Sequence, residues 1–87
     1  MAYEWDEGKR TINLEKHGID FSAIHLFDWE SATIFADQRI DYNEPRMVAY
    51  GRIKGRLIVV VYAMRGDKSI RVISMRKANK REVVKYG

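Results

Sequence analysis

Cysteine is missing from this 87-residue chain, and proline occurs once. Without thiols there is no disulfide staple and no thiolate-bound zinc, so a small core must hold itself together. The absence also suits a reducing compartment. Long hydrophobic runs are missing too. The longest, Leu57–Met64, has eight residues, where a membrane helix needs about twenty. The opening residues MAYEWDEGKR carry charges where a secretory signal would be apolar. With 46% apolar residues the chain is expected to fold as one domain over 1–87, soluble and cytoplasmic.

Catalytic signatures are equally sparse. The two histidines, His17 and His25, stand eight residues apart without cysteine, which does not make a zinc site. There is no HExxH, no calcium loop, no P-loop and no GxGxxG. Ser31, Ser69 and Ser74 have no nucleophile-elbow context. Asp41 and Glu44 fall in a polar loop, a poor frame for a two-metal centre. No metal or cofactor is expected. A nuclease on this chain would have to be metal-independent and therefore confined to RNA, whose 2′-hydroxyl can act as the nucleophile.

What is present is concentrated positive charge. Arg65–Tyr86 holds eight Lys or Arg against Asp67 and Glu82, a net of +6, whereas the whole chain is +4. The remainder is thus slightly acidic, and Asp20–Glu44 carries six acids against the single base Arg39. One basic and one acidic surface are expected, the basic one suited to phosphates.

The pattern predicts a short N-terminal strand and then a helix from Asp6 and Glu7 to His17, capped by Asp6 and ended by Gly18. Its apolar stripe is thin. A second short helix is predicted from Asp20 to about Asp28, with Phe21, Ile24 and Phe27 on one side. Strands follow at Ala32–Ala36, Met47–Ile53, Arg56–Arg65 and Lys68–Arg76, with a polar loop over Asp37–Pro45. Asn79 and Glu82 form a capping box for a last helix. The expectation is an α+β fold with a mostly antiparallel four-stranded sheet, Arg56–Arg65 at its centre and a short N-terminal strand added.

Reading Gly66-Asp67 as a two-residue hairpin loop pairs Arg65 with Lys68 and Tyr62 with Arg71. Tyr62 and Arg71 then share a face with Val60 and Ile73. Arg65, Val72, Ser74 and Arg76 take the other, unless a β-bulge swaps them. An arginine beside a tyrosine can clamp a phosphodiester while the phenol moves a proton, or it can be a cation–π pair that stabilises the sheet. His17 is a candidate acid/base, or simply a cation that the helix dipole stabilises. His25 is read as partly buried packing.

Three ordered motifs carry a resemblance. The N-terminal one comprises Glu4, Trp5, Asp6, Lys9, Asn13, Lys16, His17, Gly18, Ile19 and Phe21. In mid-chain come Arg46, Gly51, Gly55, Arg56, Leu57 and Val59–Val61. The last has Arg65, Gly66, Ile70, Arg71, Ile73, Ser74, Arg76, Lys77, Ala78, Glu82 and Tyr86. Nearly the whole chain thereby resembles BrnT-type toxins. The resemblance implies a RelE-like fold and a bacterial type II toxin that cleaves RNA and arrests translation. It also implies a BrnA-type ribbon-helix-helix antitoxin, in a heterotetramer that meets operator DNA only through the antitoxin.

On that basis the catalytic candidates are His17, Tyr62, Arg65, Arg71 and Arg76, and the RNA-binding cations Lys9, Lys16, Lys77, Lys80 and Arg81. Many members of the family have histidine where this chain has Tyr62. As a base, a phenol near pKa 10 would need Arg71 to depress it. Two other readings use the same charge: a non-catalytic nucleic-acid-binding or operon-regulating module, and a protein-interaction domain for an acidic partner.

Overall fold

The computed structural model describes residues 2–37, 44–66 and 68–87. Local chemistry sets the first elements. Strand β1 (Ala2–Glu4) leads into helix α1 (Glu7–His17), whose N-cap Asp6 accepts from Lys9 N at 3.0 Å. Gly18 ends α1 at φ 72°, a left-handed conformation that glycine adopts without Cβ strain. The apolar stripe is as thin as expected, since Ile12 and Leu14 are exposed and Asn13 is the buried residue of the helix.

The second helix departs from expectation. It is a 3₁₀ helix over Phe21–Leu26, not an α-helix reaching Asp28. The spacing explains this: Phe21, Ile24 and Phe27 recur every three residues, and a 3₁₀ helix stacks i and i+3 on one line. Phe21 and Ile24 are fully buried and Phe27 is nearly so. Arg10 joins this segment to α1 through a two-pronged bond to Asp20, both distances 2.9 Å. His25 stays exposed rather than partly buried, its ring edge-on to Tyr3.

Strands β2 (Thr33–Ala36), β3 (Met47–Ile53), β4 (Arg56–Arg65) and β5 (Ser69–Lys77) precede helix α2 (Lys80–Tyr86). The expected Asp37–Pro45 loop lies for the most part outside the described residues. The sheet has five strands in the order β1-β5-β4-β3-β2, with β1 parallel to β5 and the other pairs antiparallel. β4 is central, as its apolar run predicts. One sheet face packs Ile58, Val60, Tyr62, Ile70, Val72 and Met75 against Ile19, Phe21, Ile24 and Phe27. Gly51 is required here, because a Cβ would stand 2.5 Å from the Phe27 ring.

Two insertions in the β4–β5 pair overturn the expected register. Arg65 pairs with Ser69, so the hairpin loop holds three residues rather than two. A β-bulge then falls between the Tyr62–Val72 and Val61–Ser74 pairs, leaving Ile73 as the extra residue. Each insertion reverses the inward and outward alternation. Between them, Arg71 and Val72 trade faces relative to expectation; beyond them, Ser74 and Arg76 lie where expected. Arg71 therefore pairs with Ala63, not with Tyr62. Tyr62 belongs to the core at 5% exposure, edge-on to Trp29. Arg65, Arg71 and Arg76 therefore share the face opposite Tyr62.

Candidate functional site

The face away from the core is hollowed into a cavity of about 560 Å³. Val48, Val59, Val61 and Ile73 form its floor, and Lys16, His17, Arg46, Ser74 and Arg76 bring polar and charged groups to it. Phe35, Ala36, Asp37 and Tyr50 complete the wall. The volume lies within the range of about 300–1,000 Å³ common for small-ligand sites. Three cations and one imidazole against a single acid give the lining a net positive charge, although Arg76 is paired with Glu82 behind it.

His17 reaches the cavity from the last turn of α1. A helix C-terminus favours an imidazolium, yet the His17 pKa lies below its ordinary value of 6.5. Partial burial is the main cause, and the positive charges of Lys16 and Arg76 add to it. The ring is thus held neutral at physiological pH, with a nitrogen lone pair available.

Arg76 is held by the C-terminal helix. Its Nη1 and Nη2 donate to the two carboxylate oxygens of Glu82 at 2.8 and 2.9 Å. The same carboxylate accepts from Asn79 N at 2.9 Å, and Glu82 N donates to Asn79 Oδ1, completing the capping box foreseen from the sequence. The arginine holds the Glu82 carboxyl below its usual range, helped by Asn79 and Tyr50. Tyr86, at the end of α2, stacks on Tyr50 with ring centroids 4.1 Å apart. One short helix thereby both orients Arg76 and packs against Tyr50 in the wall of the hollow.

Of the residues expected from sequence, His17, Lys16 and Arg76 come together here. Arg65 and Arg71 share the face but lie outside the cavity, where both pair with Glu44 and Arg65 also donates to Glu4 at 3.3 Å. Tyr62 is on the opposite side of the sheet from this cavity, and burial raises its pKa instead of Arg71 lowering it. Lys9, Lys80 and Arg81 are exposed on the helices; Lys77 borders a second depression with Lys54 and Arg56. Arg46 and Tyr50 line the site although neither stands out as a candidate in the sequence. The alternation of 46, 48 and 50, from the residue before β3 into the strand, is the signal that places them together.

Fold and cavity together describe a small α+β protein with a cationic hollow in one sheet face. Residues 5–82 match the family "Ribonuclease toxin, BrnT, of type II toxin-antitoxin system". Among solved structures, the Brucella abortus ribonuclease toxin BrnT aligns with a TM-score of 0.72 at 33% identity, covering 92% of this chain and 100% of that one. Comparison with curated proteins gives no match. The chain belongs to the BrnT family of ribonuclease toxins, and that membership implies an antitoxin partner. Among the described residues no helix is long and apolar enough to cross a membrane.

Proposed function

We propose that this chain is a metal-independent endoribonuclease with a RelE-like fold that cuts RNA in the cytoplasm and so arrests translation. The observation that carries this reading is the meeting of a neutral imidazole, His17, with an oriented guanidinium, Arg76, in one hollow. His17 takes the proton from a ribose 2′-hydroxyl, whose oxygen attacks the adjacent phosphorus as the bond to the 5′-oxygen breaks. Arg76 and Arg46 offset the charge that builds on the phosphoryl oxygens. Lys16 supplies a further cation and an N–H donor for the departing 5′-oxygen. Lys9, Lys77, Lys80 and Arg81 extend the phosphate path outside the cavity. Arg65 and Arg71, which lie outside the cavity, serve the sheet and the loop rather than the reaction. A BrnA-type ribbon-helix-helix antitoxin would silence the toxin by covering the basic face, in a heterotetramer that reaches operator DNA through the antitoxin.

The reading is tested with purified toxin and an RNA oligonucleotide in EDTA, with and without ribosomes. The expected products end in a 2′,3′-cyclic phosphate and a 5′-hydroxyl, and a 2′-deoxyribose at the cut site should block cleavage. Salt-sensitive RNA binding with no cutting in either setting would sink it.

Tyr62→Phe separates this site from the one the sequence suggests. With its ring in the core against Trp29, the phenol stands on the far side of the sheet from the cavity. The variant is expected to cleave within about twofold of the parent, since it changes no group in the site. Loss of cleavage in a folded variant, checked by circular dichroism, would restore Tyr62 to the chemistry.

A further inference from the structure

α1 carries the proposed base, yet almost nothing apolar fastens it to the sheet. Its buried residue is polar: Asn13, 6% exposed and one helical turn before His17. Asparagine is a poor helix former, so its place mid-helix has a cost that some other role must offset. Its side-chain amide bonds the backbone of β5 on both sides. Met75 N donates to Asn13 Oδ1 at 3.2 Å, while Asn13 Nδ2 donates to Met75 O at 2.9 Å and to Ile19 O at 3.0 Å. Among the described residues β1 pairs with β5 from Ser69 to Arg71, so at Met75 the amide acts in place of a neighbouring strand.

Where these bonds fall gives them meaning. Met75 sits between Ser74 and Arg76, just past the bulge at Ile73 that aims both side chains into the cavity. Ile19 lies two residues beyond His17. One buried amide thus ties three segments together: the helix bearing His17, the chain leaving it, and the strand bearing Ser74 and Arg76. The geometry points to Asn13 as a positioning residue that sets the imidazole of His17 relative to the guanidinium of Arg76. This rests on the proposed assignment of His17 as base and deepens it.

The test uses Asn13→Ala and the isosteric Asn13→Asp, which keeps the acceptor for Met75 N but places oxygen against the carbonyls of Met75 and Ile19. Both are measured well below their thermal midpoints, with folding confirmed by circular dichroism. The kcat for RNA cleavage should fall on the order of 100-fold while KM changes little, because a displacement near 1 Å has that effect and the phosphate-binding cations remain. In Asn13→Ala, which adds no charge, the imidazole titration of His17, followed by NMR, should move upward toward 6.5 as the ring leaves its partly buried place beside Arg76. A merely structural residue would lower the thermal midpoint and leave kcat and the titration unchanged, and that result overturns the proposal. Failure of both variants to fold also overturns it, since Asn13 would then serve the whole fold. If His17→Ala cleaves normally while Asn13→Ala still shifts the His17 titration, the assignment of the base is wrong and the positioning role stands.

Discussion

His17→Ala is expected to lower kcat/KM for RNA cleavage by about 10²–10⁴-fold, the usual contribution of a positioned general base. RNA affinity should hardly change, because Arg46, Arg76 and Lys16 remain in the hollow. The parent's pH profile supplies a second reading of the same residue. A base works in its neutral form, and burial together with Lys16 and Arg76 lowers the His17 pKa. The acid limb of kcat/KM should therefore have its midpoint below 6.5, with activity present above that midpoint and lost as pH falls through it. Lys16→Ala removes one of the lowering charges and should move the midpoint upward. Stability follows the same sign: the fold prefers neutral His17, so this contribution is present above about pH 6.5 and lost in acid. An acid limb that persists in His17→Ala would assign it to another group.

Arg76→Ala should cost about 10²–10³ in kcat, the range seen when one donor to a developing oxyanion is removed. A further effect is built into the structure. Glu82 would lose its two-pronged partner inside a capping box, so α2 should loosen and the Tyr50–Tyr86 stack with it. Arg76→Lys distinguishes these roles. A lysine supplies charge but cannot make the forked contact, so the charge near His17 is retained while the fixed geometry is not. It is expected to recover only a minor part of kcat and to keep the depressed acid-limb midpoint, whereas Arg76→Ala should raise that midpoint. Normal cleavage by folded Arg76→Ala would show that charge at this position does not serve the transition state, and normal cleavage by Arg76→Lys that the forked geometry does not.

Much of the architecture could be read from residues alone because local chemistry decides it. Asp6 and Gly18 bound α1, Asn79 and Glu82 open α2, and the run Leu57–Met64 marks the central strand. The concentration of cations in the last quarter was equally plain. The three-residue spacing of Phe21, Ile24 and Phe27 was also in view, but a 3₁₀ helix and a short amphipathic α-helix share that signal until the packing chooses.

The site was less legible because it depends on parity. A strand has a period of two, so one extra residue transfers every later side chain to the other face. The hairpin loop contributes one such residue and the bulge at Ile73 another, and nothing in Gly66 or Ile73 as residue types specifies both. That is why Tyr62 and Arg71 looked like partners and are not. Charge, caps and the order of elements were determined by the sequence itself, through interactions spanning a few residues. Only the tertiary structure decided that His17 and Arg76, fifty-nine positions apart, line one cavity. Their meeting depends on long-range contacts: the Asn13 amide on Met75, the packing of the 3₁₀ helix under the sheet, and a bulge whose place is chosen by the core it must fill.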